Sequence, residues 1–306
     1  MFSLNNPFNM QKTHEQLVFQ CHLCQGQKYI VRPGHARDDQ NLLPLECTEC
    51  GLVQLSSFSH IHKAFYKNGQ MHENQPGTAK QADQQSSKDT ERRFAQWKKL
   101  IHNQRVLDIG CGQGDFILRA QDTAKSITGI EPENAMLKRC EKKRLNVFPE
   151  LSSLPSSNKF DVITLFHVLE HMPDPFRELE KLHQYFFKSE RSPKTLVIEV
   201  PSADDALLSL YENEAFSKFT YWSCHLYMFN ESTLKKLAEK AGYRTLKMIQ
   251  FQRYPLANHL FWLAKGDKGG QNHWSFLDTP PLSKTYAETL AKQKLCDTII
   301  GVFTPK

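Results

Sequence analysis

The sequence predicts an α/β protein: an open, mostly parallel sheet of seven strands, preceded by a small ribbon that binds a metal ion. Three observations predict this fold. A short apolar strand at residues 106–109 runs through a glycine-rich loop into a helix, which is the ligand-binding corner of an open α/β sheet. Strand-like and helix-like segments then alternate to the end of the chain. Two Cys-x-x-Cys pairs stand near the N-terminus.

The glycine loop at residues 110–114 reads Gly-Cys-Gly-Gln-Gly, so its spacing is G-x-G-x-G. The longer G-x-G-x-x-G loop lays a pyrophosphate on a helix N-terminus, and the shorter loop therefore favours a ligand without phosphates. Asp108 precedes the last apolar residue of the strand. Glu131 follows the second predicted strand, residues 126–130, where a carboxylate can accept hydrogen bonds from both hydroxyls of a ribose.

A third motif, His-Val-Leu-Glu-His at residues 167–171, follows a fourth apolar strand at residues 160–166. Together with the glycine loop and Glu131, it resembles the class I S-adenosylmethionine (SAM) dependent methyltransferases from residue 105 onward. The resemblance implies a Rossmann-like sheet whose last strand is antiparallel, and SAM as the cofactor. It places the adenine near residues 151–154. The cofactor-binding residues that it implies are Asp108, Gly110, Cys111, Gly112, Gly114, Glu131, Pro132 and His167.

The main catalytic candidate is His225, in the aromatic segment at residues 221–230. An acceptor must lose a proton as it takes a methyl group, and histidine is the side chain best matched to neutral pH for that work. The segment resembles one found in bacterial sugar methyltransferases, some of which also have an N-terminal zinc-binding segment. That resemblance implies His225 as the general base and a sugar acceptor, as a nucleotide sugar or a cell-envelope glycan intermediate. Some of these sugar methyltransferases make branched deoxysugars and have a glutamate where this chain has Cys224. That difference speaks against C-methylation.

Two other interpretations of His225 stay open, a histidine satisfied inside an aromatic core and a substrate-binding residue without a catalytic function.

His171 is a second catalytic candidate. The motif at residues 167–171 also matches the zinc-peptidase pattern H-x-x-E-H, but that chemistry needs the pattern on a helix, and here it spans a strand end and a loop. Some methyltransferases acting on quinone precursors bind a divalent metal at about this site. Glu170 and His171 match two of their ligands, but His167 replaces a carboxylate, which disfavours Mg²⁺.

The N-terminal cysteine pairs indicate a structural zinc site. Residues 25–46 separate the pairs, slightly more than the roughly 15–20 residues usual in zinc ribbons, and an extended loop at residues 32–43 absorbs the difference. Four thiolates leave zinc no open position, so a structural or substrate-positioning function is favoured over catalysis. The alternative is two chance pairs of buried thiols, with His22 and His35 as spare ligands. The predicted zinc ligands are Cys21, Cys24, Cys47 and Cys50.

These motifs divide the chain into a tail (1–20), a zinc ribbon (21–60), a linker with a helical lid (61–104) and a methyltransferase-like domain (105–306) with an insertion at 252–296. Residues 74–87 are polar and are expected to form an exposed linker. The helix after them has Phe94, Trp97 and Ile101 on one face and Arg92 and Arg93 on a face expected to meet solvent.

Composition limits the function classes. A net charge of +6 is too mild to argue for nucleic acid by itself, so an RNA-modifying enzyme that uses the ribbon for binding is the alternative to a small-molecule enzyme. A non-catalytic binding module is the third hypothesis. No apolar run approaches a membrane span, and the N-terminus lacks the plan of a signal peptide. We therefore expect a cytoplasmic protein with reduced cysteines, whose oligomeric state the sequence leaves open.

Overall fold

The computed structural model describes residues 20–72, 79–187 and 194–306. The predicted tail at residues 1–19 and the segment at 74–78 lie outside the described residues. Within the described part, two sheets of four and seven strands are joined by helices. None of the described helices combines the length and the apolar character that crossing a membrane requires.

The N-terminal unit is built on three short antiparallel strands, β1 (Tyr29–Val31), β2 (Pro44–Cys47) and β3 (Val53–Leu55). Helix α1 (Lys63–Lys67) follows. The loop between β1 and β2 is the extended loop that the cysteine spacing predicts.

Helix α2 (Ala79–Ile101) begins earlier than the sequence predicts. The expectation of a linker up to residue 87 is wrong from Ala79 onward, because alanine, lysine and glutamine favour the helix even where no apolar face marks it. Phe94, Trp97 and Ile101 are buried together, as the helical spacing predicts.

The rest of the chain alternates strands and helices. The central strands are β4 (Arg105–Ile109), β5 (Ser126–Ile130), β6 (Val147–Phe148), β7 (Val162–Phe166), β8 (Thr195–Pro201), β10 (Tyr243–Phe251) and β11 (Thr298–Pro305), while β9 (Tyr227–Met228) belongs to the N-terminal sheet. The helices among them are α3 (Asp115–Ala120), α4 (Asn134–Lys142), α5 (Pro175–Leu182), α6 (Ala206–Ser209), α7 (Glu214–Thr220), α8 (Glu231–Lys240), α9 (Leu256–Lys265), α10 (Gly270–His273) and α11 (Pro280–Gln293). The last three helices lie between β10 and β11, within residues 252–296.

The central sheet has the strand order β10-β11-β8-β7-β4-β5-β6. Strand β11 is antiparallel to both of its neighbours, and the pairs among β8, β7, β4, β5 and β6 are parallel. This confirms the predicted α/β fold with a seven-stranded, mostly parallel sheet and a reversed last strand. The chain winds from β4 through β5 to β6 and then returns to β7 on the other side. Such a reversal opens a crevice at the carboxyl ends of the strands, where ligands bind in sheets of this kind.

Alternate residues of β4 supply the cores on the two faces of the sheet. Val106 packs in a cluster with Ile101 and Phe116, on the face covered by α2 and α3. Leu107 and Ile109 belong to a second cluster on the opposite face, which α5 and α8 cover. Both faces are therefore sealed, and the carboxyl edge of the sheet is where the structure opens.

The N-terminal sheet takes its fourth strand from the other end of the chain. Strand β9 pairs with β3, with Val53 opposite Met228 and Gln54 opposite Tyr227. Tyr227 is fully buried at this joint. The segment that carries His225 therefore forms part of the same sheet as the N-terminal ribbon.

Candidate active site

The glycine loop leaves open space at the carboxyl end of β4. Gly110 has φ +68°, and a side chain there would overlap Val168. Gly112 has φ +55°, and a Cβ built on it would meet nothing within 4 Å, so the loop backbone faces open space. Both positions need the left-handed backbone that glycine adopts without strain.

The Glu131 carboxylate is anchored next to this loop. Its Oε2 accepts a hydrogen bond from the backbone N–H of Gly112 at 2.8 Å, and its Oε1 accepts one from the N–H of Glu133 at 2.9 Å. A carboxylate oxygen has two lone pairs, so an oxygen that accepts from a backbone N–H can also accept from a hydroxyl group.

A cavity of about 1240 Å³ lies over the loop. Five of the predicted cofactor residues line it, namely Gly110, Gly112, Glu131, Pro132 and His167. Leu151 and Ser152, from the stretch expected near the adenine, also line it, and Leu151 is held by a hydrogen bond from the Tyr185 hydroxyl to its carbonyl at 2.9 Å. The volume exceeds the roughly 300–1,000 Å³ of common ligand pockets, which leaves room for two molecules side by side.

Among the described residues, the other three cofactor candidates stand behind the cavity rather than in its lining. Asp108 is buried and accepts a hydrogen bond from the Thr164 hydroxyl at 2.6 Å, and its burial raises its pKa to about 7. A side chain at Gly114 would overlap Leu145, so this glycine permits close packing. Cys111 packs against the buried face that α2 covers. In this structure the three residues support the loop from beneath.

His167 is held in an unusual conformation between two buried carboxylates. Its φ is +57°, which is uncommon for a residue other than glycine. Its Nδ1 lies 3.3 Å from Glu170 Oε1, and its Nε2 lies 3.3 Å from Glu199 Oε1. Burial acts to lower the pKa of His167, but the two carboxylates outweigh it, so the pKa is raised above its usual value.

The expectation that Arg92 and Arg93 face solvent is wrong. Arg92 donates to both oxygens of Glu199 at 2.8 and 2.7 Å, and Arg93 Nη2 donates to Oε1 at 2.7 Å. Burial would raise the pKa of Glu199, but Arg93, His167 and Arg92 hold it well below its usual value. The sequence signal for this ion cluster is a lone glutamate inside the apolar run of β8.

The two catalytic candidates meet at one wall of the site. The rings of His171 and His225 pack edge to face with centroids 4.9 Å apart. His171 Nδ1 lies 2.8 Å from the carbonyl oxygen of Cys224. A carbonyl can only accept, so Nδ1 carries a proton, and Nε2 lies 4.0 Å from Glu170 Oε1.

Of these two histidines, His171 lines the cavity, and His225 lies against it, outside the lining formed by the described residues. Burial, followed by the positive groups His171, Arg37 and His167, lowers the pKa of His225 well below its ordinary value. His225 is therefore neutral at pH 7. Sequence reasoning placed both histidines near the site but did not show that they touch.

Glu170 completes a cluster with these histidines. One ligand atom from each of Glu170, His171 and His225 lies within 4.8 Å of the others. The Glu170 side chain is fully buried, and its Oε1 lies 3.3 Å from His167 Nδ1 and 4.0 Å from His171 Nε2. Two imidazoles and one carboxylate are donors for a transition metal rather than for Mg²⁺, which agrees with the sequence argument against Mg²⁺.

The four predicted zinc ligands come together in the N-terminal unit. Their sulfur atoms lie within 4.8 Å of one another, with Cys21 and Cys50 at 3.5 Å and Cys24 and Cys47 at 3.5 Å. A tetrahedral zinc with bonds of about 2.3 Å separates its sulfurs by about 3.8 Å, so the arrangement fits such an ion.

The comparisons with known proteins assign the family. The family model described as "Methyltransferase domain" matches residues 78–248, which is more than half of the chain. The chain belongs to this family and is a SAM-dependent methyltransferase. The matched range contains the glycine loop, Glu131, the His167–His171 motif and His225.

The individual proteins that match this chain have low sequence identity to it. A ubiquinone biosynthesis O-methyltransferase from Pseudomonas entomophila is 26% identical over 177 residues, covering 52% of this chain and 72% of the relative. One from Coxiella burnetii is 23% identical over 182 residues, covering 54% and 74%. Among solved structures, a SAM-dependent methyltransferase from Archaeoglobus fulgidus matches with a TM-score of 0.47 at 23% identity, covering 70% of this chain and 94% of that one. The magnesium protoporphyrin IX methyltransferase of Synechocystis matches with a TM-score of 0.48 at 12% identity, covering 82% and 100%.

Proposed function

We propose that this enzyme transfers a methyl group from SAM to a hydroxyl of a small polar acceptor, with a sugar as the preferred class. The observation that carries the proposal is the position of His171, whose ring lines the same cavity as the glycine loop and Glu131. A cofactor held by the loop and an acceptor beside His171 would occupy one continuous space. Bringing the acceptor into line with the methyl–sulfur bond supplies most of the rate, because SAM is already activated.

The residues of the cavity suit SAM in four places. The Glu131 carboxylate would accept hydrogen bonds from the ribose hydroxyls. The open backbone at Gly112 would receive the amino-acid end of the cofactor, where a side chain would intrude. Leu151 would pack on the adenine, and His167 would lie near the transferred methyl group. The cofactor supplies the electrophilic methyl group, and these residues bind and orient it.

The acceptor's proton would pass to the histidine pair. His171 lines the cavity, with its Nε2 4.0 Å from Glu170 Oε1, and His225, neutral at pH 7, packs against its ring. We assign the function of general base to this pair of histidines. His225 is the main candidate from the sequence, and His171 is the member that lines the cavity. A neutral imidazole suits a hydroxyl nucleophile, whose proton is lost as the methyl group arrives.

The acceptor class rests on the polar side chains in the cavity lining. They include Asp174, Glu178, Lys181 and Gln184, which can donate to and accept from several hydroxyl groups. Such a lining favours a polyhydroxyl acceptor, as a nucleotide sugar or a glycan intermediate, over an apolar one. The relatives named ubiquinone biosynthesis O-methyltransferases favour oxygen as the nucleophile and make a phenolic hydroxyl the second candidate.

We also propose that the four cysteines hold a structural zinc ion. Their sulfur separations fit a tetrahedral ion, and a unit with three strands of three or four residues has little apolar surface of its own. Because the ribbon stabilises the fold and pairs with β9, we expect the protein to act on small molecules rather than on RNA.

The test is titration calorimetry with SAM and its demethylated product, followed by transfer of labelled methyl groups to panels of nucleotide sugars, phenols and bulk tRNA. Binding of both cofactor forms and labelling of a sugar support the proposal. Labelling of phenols alone would replace the acceptor class, and salt-sensitive labelling of tRNA would move the protein to RNA modification. A zinc-loaded, folded sample that binds neither cofactor form contradicts the proposal as a whole.

The histidine pair is tested with the same assay. His171→Asn and His225→Asn are expected to lose methyl transfer while keeping cofactor binding. Methyl transfer should require neither Mg²⁺ nor Mn²⁺, and neither ion should restore activity to the two variants. Activity that depends on an added divalent ion would contradict the base assignment and place a metal at Glu170, His171 and His225.

A further inference from the structure

The extended loop of the N-terminal ribbon reaches the segment that carries His225. Asp38, between β1 and β2, accepts two hydrogen bonds from Ser223: its Oδ1 accepts from the backbone N–H at 2.9 Å and its Oδ2 from the hydroxyl at 2.6 Å. Residues 185 positions apart in sequence are thus joined through one carboxylate. Such a double contact fixes both the backbone and the rotamer of Ser223.

The same serine is held from a second direction. His60 Nε2 lies 2.8 Å from the carbonyl oxygen of Ser223, and since a carbonyl can only accept, Nε2 is the donor. Asp38 and His60 together engage the N–H, the hydroxyl and the carbonyl of Ser223. We call this arrangement the Ser223 clamp.

Neighbouring contacts hold the residues on either side of the clamp. The backbone N–H of Arg37 donates to the carbonyl of Tyr221 at 2.9 Å, and its guanidinium lies 4.6 Å from the centre of the Trp222 ring. Downstream, Leu55 N–H donates to the carbonyl of Leu226 at 3.0 Å, at the start of the β3–β9 pairing. The N-terminal unit therefore holds the segment both before and after His225.

The clamp acts on the histidine pair through the next peptide unit. The carbonyl of Cys224, directly after Ser223, accepts the hydrogen bond from His171 Nδ1. That bond keeps a proton on Nδ1 of His171, so that in the neutral ring the lone pair belongs to Nε2. A rotation of the backbone at Ser223 would turn this carbonyl away from the ring.

We propose that Asp38 and His60 are positioning residues that keep the Cys224 carbonyl aimed at His171 and thereby fix the tautomer and orientation of the catalytic pair. The consequence for catalysis rests on the proposed function, but the effect on the tautomer of His171 does not. The proposal also explains the wide spacing of the cysteine pairs, because the extra residues of the loop at 32–43 include Asp38.

The first readout is independent of the acceptor. Long-range ¹H–¹⁵N NMR of the zinc-loaded full chain reports the tautomer of His171, assigned with His171→Asn. The wild-type ring should show a single form protonated at Nδ1. In Asp38→Ala and His60→Ala this signal should shift toward exchange between the two tautomers. His60→Gln, whose amide nitrogen can occupy the place of Nε2, should restore the wild-type signal.

The second readout is methyl transfer. Both alanine variants should lower kcat about tenfold, the effect of losing one or two hydrogen bonds that orient the base, with cofactor affinity changed less than twofold. Asp39→Ala is the matched control, since Asp39 lies on the same loop and its carboxylate accepts instead from the N–H of Asn41 within the loop. It should leave tautomer and kcat unchanged.

A folded Asp38→Ala/His60→Ala double variant whose His171 keeps the single Nδ1-protonated form overturns the proposal. Equal effects of Asp39→Ala and Asp38→Ala overturn it too, because they would mean that the whole loop matters rather than the clamp. If the alanine variants fail to fold, Asp38→Asn carries the test through a smaller shift of the same signal. A wild-type protein that binds no cofactor would defeat the proposed function and leave the tautomer experiment intact.

Discussion

The carboxylate of Glu131 and the backbone N–H of Gly112 are joined by a hydrogen bond of 2.8 Å. This bond ties the end of β5 to the glycine loop that follows β4, so the two neighbouring parallel strands present one rigid edge. The carboxylate is oriented before any ligand arrives, and pre-orientation lowers the entropy lost on binding.

Glu131→Gln is expected to weaken binding of SAM and of its demethylated product by roughly 10- to 100-fold, because hydrogen bonds to a charged group contribute about 1.5–3 kcal/mol. Glutamine keeps one acceptor oxygen but replaces the other with an amide nitrogen that opposes the N–H of Gly112 or Glu133. Titration calorimetry measures the change.

Glu141→Gln, on the exposed surface of α4, is the control and should bind both compounds like the wild type. If Glu131→Gln bound them with unchanged affinity, the carboxylate would have no contact with the ribose.

Zinc content is the second prediction. The purified chain is expected to contain one zinc ion, and Cys47→Ser should lose it together with the cooperative unfolding of the N-terminal unit. Elemental analysis by mass spectrometry measures the metal. Cys296→Ala removes a buried thiol outside the cluster and should keep one ion per chain. A metal-free wild type, purified without chelators, would favour the alternative of two chance pairs of thiols.

Local patterns in the sequence predict the sheet well. The apolar runs of β4, β5 and β7 are bounded by glycines and polar residues, and their order along the chain leaves few possible topologies. Asn230 caps α8 as an asparagine before a helix should, with the Thr233 N–H donating to its side chain at 2.9 Å. Such signals lie within a few residues of the structure that they determine.

The sequence does not predict contacts between residues that lie far apart along the chain. Strand β9 has two residues, and its partner β3 lies more than 170 positions earlier, so no local pattern marks the pairing. The contact of His171 with His225 depends on that pairing as well as on the sheet. Arg92 and Arg93 look like solvent-facing residues because helical periodicity says nothing about a buried carboxylate on a neighbouring strand.

The buried ion cluster at Glu199 gives the third prediction. Glu199→Ala should lower the free energy of unfolding by about 3–5 kcal/mol, because it removes the buried carboxylate that lies 2.7 Å from both Arg92 and Arg93 and leaves Arg92 only the longer contact with Asp89 at 3.7 Å. Urea unfolding followed by circular dichroism measures the loss. The Glu288 side chain, exposed and paired with Lys284, supplies the control: Glu288→Ala should change stability little.

An equally small loss for both variants would mean that the arginines find other partners or solvent when Glu199 is removed. A loss confined to Glu199→Ala, accompanied by weaker cofactor binding, would show that the cluster also sets the position of His167, which lies 3.3 Å from the same carboxylate.

The fourth prediction concerns stability in acid. His259 is buried, and its Nδ1 lies 2.8 Å from the Tyr286 hydroxyl, while the Gln252 amide nitrogen lies 3.1 Å from its Nε2. An amide nitrogen donates, so Nε2 must be unprotonated. Burial lowers the pKa of His259 to about 4, against about 6.5 in the unfolded chain.

Between these two pKa values the unfolded chain binds a proton at His259 that the folded protein does not, so stability falls as the pH falls from 6.5 toward 4. From pH 7 to pH 5 this residue alone should remove about 2 kcal/mol from the free energy of unfolding. His259→Gln is less stable at pH 7 but lacks this proton, so its stability should fall less steeply over the same range. Urea unfolding at pH 7, 6 and 5 compares the slopes. Other acid-sensitive groups, including the cysteine cluster, are common to both proteins, so parallel slopes would mean that folding does not lower the pKa of His259. His102→Gln, at an exposed histidine, should follow the wild type throughout.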